Sequence, residues 1–190
     1  MKSEDQLKWK TLSSEYLFNA TWLKARRDKC LKPDGKVVDN YYVIEYPEWV
    51  TAVALTENDE VLLVRQYRHA LDVVSIEIPG GCVDASDNNY EEAIRRELLE
   101  ETGYEFEEAI YLGDTSPNPS TNANLMHMFL LTGGKLVQEQ KLDEHEELEV
   151  LIVPLNELIR MVLNHEIVQA MHVTTIFYAL QKLGKLSINM

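Results

Sequence analysis

The chain has 190 residues, 45% of them hydrophobic and 26% charged, which suits one packed water-soluble domain with a small extra element at one end. Its formal net charge of −14 argues against a general nucleic-acid binder or a binder of anionic membranes. An anionic small-molecule substrate fits only where local arginines and a metal offset that field. No apolar run approaches the roughly 20 residues of a spanning helix. Met1-Lys2-Ser3-Glu4-Asp5-Gln6 lacks the apolar stretch of a secretory signal, so a cytoplasmic location is expected. Cys30 and Cys82 stand far apart without a partner motif and read as small buried hydrophobes, and the five histidines show no metal-ligand spacing.

Residues 1–15 are polar with little periodicity and suggest coil or a short helix. Two β-rich runs, Thr21 to Leu31 and Lys36 to Tyr46, flank the turn signal Lys32-Pro33-Asp34-Gly35-Lys36 and predict an N-terminal hairpin arm over residues 1–48. Val50 to Thr56 and Val61 to Tyr67 read as a second hairpin around Glu57-Asn58-Asp59-Glu60. A short extended stretch, Ser75 to Ile78, runs into Pro79-Gly80-Gly81. A helix follows, with Asn89 as cap, Glu92 completing a capping box, an apolar stripe of Ile94, Leu98 and Leu99, and Gly103 as stop. Ala109 to Gly113 and Leu125 to Leu131 are strands around Ser116-Pro117-Asn118-Pro119-Ser120. Gly133-Gly134 reads as a turn, Leu148 to Val153 as a strand, and Leu155 to Leu163 and Val168 to Leu183 as closing helices. The pattern predicts an α+β fold, a mixed sheet with helices packed on it, over residues 49–190.

The end of the first helix is energetically odd. Glu97, Glu100 and Glu101 occupy positions i, i+3 and i+4, which places them on one face of its last turns. A helix C-terminus carries partial negative charge and favours basic residues. Like charges at i,i+4 are unfavourable by a further ~0.2–0.5 kcal/mol. An arbitrary acidic helix is a solvated face, but a hard cation such as Mg2+ would turn these carboxylates into a site.

Gly81 to Tyr104 resembles the Nudix box, G-x5-E-x7-R-E-U-x-E-E-x-G-U with U apolar. Arg96 to Gly103 matches without a gap, and Tyr104 fills the last apolar slot imperfectly. The first half departs: one residue too many separates Gly81 from Arg96, and the first glutamate is replaced by Asp87 or, counting back from Arg96, by Asn88. The extra residue falls in a polar loop, where insertions are cheap. Leu62 to His69 and Glu77-Ile78-Pro79-Gly80-Gly81 look like the strands before the box in ADP-ribose pyrophosphatases. Pro119 and the acidic loop Asp143-Glu144-His145-Glu146-Glu147 also resemble that subfamily, as does the N-terminal arm. The resemblance implies the Nudix fold, a mixed sheet sandwiched by helices. It also implies a homodimer formed through the arm, and Mg2+-dependent hydrolysis of ADP-ribose to AMP and ribose 5-phosphate, with Mn2+ as an alternative cofactor. GDP-mannose or another nucleoside diphosphate sugar is the rival substrate. A non-catalytic domain that senses a nucleotide is the rival of another class.

A diphosphate repels an attacking water, so cations are needed to neutralise it and acidify that water. By the resemblance, Glu97 and Glu101 hold the metal with the Gly80 carbonyl, and Glu100 bridges or holds a further ion. Arg96 either orients these carboxylates or touches phosphate. Glu146 is the expected general base with Glu144 in reserve, and Arg68 either contacts phosphate or makes a structural ion pair. Arg65, three residues back on a strand, should face the other way. Trp22, Tyr41, Tyr42 and Trp49 are candidates for a base clamp, or plain packing.

Overall fold

Alternating apolar residues along the central strands give one mixed sheet two hydrophobic faces. The computed structural model describes residues 1–143 and 146–186. The chain divides into two units: Met1–Pro47 with Ser116–Asn124, and Glu48–Thr115 with the residues from Leu125 onward.

The first unit is an antiparallel meander of β1 (Lys10–Asn19), β2 (Lys24–Leu31) and β3 (Val37–Glu45). The expected turn joins β2 to β3, with Gly35 at φ +82° and the Lys36 N–H donating to Asp34 Oδ1 at 3.1 Å. The sequence reading predicts only the β2–β3 hairpin; β1 is an addition. All of its residues are exposed, so burial imposes no two-residue alternation from which a strand could be read. The Pro119 loop belongs to this unit: the Ile44 N–H donates to the Thr121 carbonyl at 2.7 Å and the Tyr41 hydroxyl to that of Ser120 at 2.8 Å.

The second unit holds β4 (Trp49–Thr56), β5 (Glu60–Arg68), β6 (Val73–Glu77), β7 (Gly80–Cys82), β8 (Tyr104–Glu105), β9 (Glu108–Thr115), β10 (Met126–Leu136) and β11 (Leu148–Pro154). Their order is β11-β5-β4-β10-β8, with β6 on β5, β7 on β4 and β9 on β10; β4 and β10 run parallel and the other pairs antiparallel. The helices are α1 (Tyr90–Thr102), α2 (Leu155–Leu163) and α3 (Ala170–Lys182). Val50, Ala52 and Ala54 of β4 pack with Ile94 and Leu98 of α1. Val53 and Leu55, one step out of phase, pack with Leu158 of α2 and Ile176 of α3. The sheet is therefore sandwiched by helices, as expected. No described helix is long and apolar enough to cross a membrane.

Two local details correct the sequence reading. Gly133-Gly134 is not a turn but a bulge inside β10, where the register shifts between Leu131 and Gly134. A Cβ on Gly134 would lie 2.5 Å from the Phe106 ring, so glycine serves close approach there. The capping box is half made: Asn89 accepts from the Glu92 N–H at 2.9 Å, whereas Glu92 reaches back to the N–H of Asn88.

The C-terminal end of α1 is closed from outside the helix. Gly103 adopts φ +76° and bonds the Leu99 carbonyl. The segment after β10 then supplies donors: Lys141 N–H to the Glu100 carbonyl at 2.8 Å and Gln140 Nε2 to that of Glu101 at 2.6 Å. These satisfy carbonyls the helix leaves unpaired. A Cβ at Gly103 would also run into the Gln138 carbonyl. Gly103→Ala should therefore destabilise by about 2 kcal/mol or more, lowering Tm by about 4–8 °C for a protein of this size. Differential scanning calorimetry checks this, and an unchanged Tm would refute the cap's role.

Candidate active site

The buried stripe of α1 consists of Ala93, Ile94, Glu97, Leu98, Glu101 and Thr102. Two carboxylates thus occupy positions where a core-facing helix normally carries apolar groups: Glu97 is 9% exposed and Glu101 4%. Glu100 lies at the rim, its carboxylate accepting from Arg96 Nη1 at 2.9 Å.

The buried pair rests on the Gly80-Gly81 turn. Glu101 Oε2 accepts the Gly80 N–H at 3.1 Å. A Cβ on Gly81 would stand 2.5 Å from the Glu97 carboxylate, so any larger residue there would displace that carboxylate from the turn. Pairing of β7 with β4, Thr51 opposite Gly80, fixes the turn to the sheet.

Arg96 spends all its hydrogen bonds inside the protein. It holds Asp87 at 3.1 and 3.0 Å, the Cys82 carbonyl at 3.0 Å and Glu97 at 3.1 Å, besides Glu100. This geometry supports carboxylate orientation rather than phosphate contact. It also resolves the irregular half of the motif. Asp87 takes the buttressing place, its side chain 3% exposed and held below the usual carboxylate range by the Arg96 hydrogen bonds. Asn88 instead binds Glu92 at 2.7 Å, so the extra residue is absorbed before the helix cap.

The positive charge near the buried pair does not offset its burial. Burial, reinforced by Glu100 and Glu146 against the pull of Arg96, pushes Glu97 up to about 7. Burial and the neighbouring Glu97 push Glu101 up to about 8. The Glu146 carboxylate acts on both, and Asp143 holds it by donating its N–H to Glu146 at 3.1 Å. The reserve base Glu144 lies outside the described residues. Arg68 feels Glu101 and Glu146 while its Nε and Nη2 grip Glu77 at 2.9 and 2.6 Å. Arg65 pairs with Glu149 opposite it on β11.

No group of three or more His, Cys, Asp or Glu among the described residues forms a ready metal cage. The donor set nevertheless suits Mg2+, which takes one or two carboxylates and keeps its other positions for water and substrate phosphates. Glu97 and Glu101 beside the Gly80 backbone are such a pair. Sequence reasoning missed Glu77; the signal was an acidic residue in the otherwise uncharged run Val73 to Ile78.

The NUDIX domain model matches residues 46–172, and the model described as nucleoside diphosphate sugar hydrolase N-terminal domain matches residues 9–44. The chain is 27% identical over 170 residues to the methanol dehydrogenase activator of Bacillus methanolicus, covering 89% of this chain and 91% of that one. It is 28% identical over 171 residues to the ADP-ribose pyrophosphatase of Bacillus subtilis, covering 90% of each. It is 32% identical over 169 residues to the GDP-mannose pyrophosphatase of Cronobacter sakazakii, covering 82% of this chain and 84% of that one. A crystal structure of an ADP compounds hydrolase shares the fold, with a TM-score of 0.82 at 21% identity over 97% of this chain and 100% of that one.

Two half-neutralised carboxylates make cation binding a proton-releasing step. Their raised values stabilise the metal-free fold below about 4.5, and that contribution is lost as pH rises through 7 to 8. His172, depressed by burial to about 4, changes stability only below about 6.5. From pH 6.5 to 8.5, Mg2+ affinity should therefore climb, with proton release visible as a buffer-dependent enthalpy in titration calorimetry. The thermal shift at a hundred times Kd should reach about 5–10 °C. A pH-independent Mg2+ affinity would contradict this assignment.

Proposed function

The chain belongs to the Nudix family of hydrolases, and on that premise we propose that it splits the diphosphate of a nucleoside diphosphate sugar, ADP-ribose foremost, releasing AMP and ribose 5-phosphate. The observation that carries the reading is the buried Glu97–Glu101 pair pressed on the Gly80-Gly81 turn. Nudix hydrolases generally use divalent metal ions; we assign Mg2+, or Mn2+ in its place, to Glu97, Glu101 and the Gly80 carbonyl, with Glu100 serving a further ion at the rim. A cation there neutralises the diphosphate and acidifies the attacking water. The protein's own groups do the rest. Arg96 keeps the carboxylates in place, Arg68 contacts the diphosphate, and Glu146 accepts the proton of the attacking water. The breadth of the match to the ADP-ribose pyrophosphatase supports the substrate, and the match to the GDP-mannose pyrophosphatase makes GDP-mannose the second candidate.

Incubation with ADP-ribose and millimolar Mg2+ should yield AMP, read by chromatography, while GDP-mannose turns over more slowly. Glu97→Gln should lower kcat by about 10²-fold or more. A protein that binds ADP-ribose but releases no AMP would sink the hydrolytic reading in favour of a sensor. Wild-type turnover by Glu97→Gln would sink the metal assignment.

We also assign residues 1–48 to an arm that forms a homodimer. Of this sheet only Asp28 and Cys30 are buried, while Leu12, Tyr16, Leu17, Phe18 and Trp22 are all exposed. Three strands without a covered apolar face have little stability of their own, and a second copy of the chain is the cover proposed here. Light scattering after size exclusion should give twice the chain mass of 21.9 kDa, and Phe18→Glu with Tyr16→Glu should shift it toward the monomer. A wild-type monomer at micromolar concentration would exclude the arrangement.

A further inference from the structure

Arg68 meets the site with one edge already taken. Glu77, the last residue of β6, is 1% exposed and binds the guanidinium side-on through Nε and Nη2. A guanidinium offers five N–H donors in a rigid plane. Side-on engagement leaves Nη1 facing away from Glu77, and no hydrogen bond among the described residues uses Nη1. The two side chains differ in setting: that of Arg68 is 45% exposed and that of Glu77 only 2%. A buried carboxylate therefore grips one edge of a cation whose other edge makes no hydrogen bond among the described residues. The Arg68 guanidinium as a whole stands in the field of Glu101 and Glu146, the first of them one of the two buried carboxylates of α1.

The buried side has one further layer. His172 of α3 lies with Nδ1 3.7 Å from Glu77 Oε2 and no hydrogen-bond partner for that atom. Burial drives this imidazole down to about 4, so at neutral pH it carries no charge. Arg68 is then the cation paired with Glu77: burial pushes this carboxyl up, and the Arg68 hydrogen bonds together with the pull of His172 and of the Arg68 charge outweigh it, leaving Glu77 below the usual carboxylate range. Loss of the carboxylate charge would free the guanidinium to swing toward Glu101 or Glu146 instead.

We infer that Glu77 is a positioning residue: it locks Arg68 by its Nε–Nη2 edge and so presents Nη1 to the diphosphate oxygens of the substrate. The inference rests on the diphosphate-hydrolase reading above but can fail separately from it. The test is a double-mutant cycle of Glu77→Gln, Arg68→Ala and both together, measured as ADP-ribose affinity by titration calorimetry and as KM and kcat with Mg2+, with Tm recorded alongside. Glu77→Gln should weaken ADP-ribose binding and raise KM by about tenfold, with a smaller change in kcat. On the Arg68→Ala background it should add nothing. Glu77→Asp, which keeps the charge but sets it back by one methylene, should recover part of the affinity. It also serves where Glu77→Gln fails to fold. Equal losses from Glu77→Gln with and without Arg68 would reduce Glu77 to a structural role and overturn the inference, as would unchanged affinity in Glu77→Gln. An inactive wild type that shows the coupling in binding would remove the hydrolytic reading and leave this inference standing.

Discussion

The acidic end of α1, the Gly80-Gly81 turn and Arg96 are arranged around two carboxylates that the fold buries without enough positive charge to offset that burial. Glu97 and Glu101 sit one turn apart on the core face of α1, at the end of a helix whose own dipole opposes them. A lone carboxylate in such a place would be replaced by an apolar residue at no loss of stability. Two of them, each pushed toward neutral pKa by burial, represent a standing unfavourable term in the metal-free fold. That term is the physical argument for the cation proposed here, and it sets the demands on the neighbours.

The neighbours meet those demands by geometry rather than by charge. Glycine at position 81 removes the atom that would collide with Glu97, and the Gly80 N–H ties Glu101 down. Arg96 approaches from the other side but divides itself among Asp87, Glu97, Glu100 and the Cys82 carbonyl, so it orients more than it neutralises. The last turn of α1 is finished by donors from Gln140 and Lys141. The same stretch of chain runs on into the loop that holds Glu146.

The acidic helix end was legible in the sequence because local spacing alone fixes which residues share a helical face. Asn89 and Gly103 gave the boundaries for equally local reasons. What was not legible depended on distant partners. One-dimensional counting cannot choose between Asp87 and Asn88 as the arginine's buttress; the choice follows from which side chain the loop turns inward. Glu100 shares a helical face with its neighbours in projection, yet the sheet covers only part of that face, so it stays at the rim. The Gly133-Gly134 bulge looked like a turn because both need positive φ or close approach. Strand β1 gave no signal at all, since a strand with both faces exposed has no alternation to show. The Glu77–Arg68 pair joins residues nine apart through a hairpin register that the sequence does not display.

The irregular first half of the motif shows which part of such a motif is constrained. The chain tolerates an extra residue and a shorter acid between Gly81 and Arg96, and still delivers a buried carboxylate to the arginine. Aspartate is one methylene shorter than glutamate, yet Asp87 still reaches the Arg96 guanidinium at 3.0 and 3.1 Å. Asn88 and Glu92 then restore the helix start. From Arg96 onward no such compensation is open, because the residues lie on one rigid helix, where an insertion of one rotates everything after it by about 100°. A single added residue between Glu100 and Glu101 would carry Glu101 to the place of Thr102, five positions from Glu97 instead of four, and break the pairing of the two carboxylates. The ungapped half of the motif is therefore the half in which helical phase itself holds the site together.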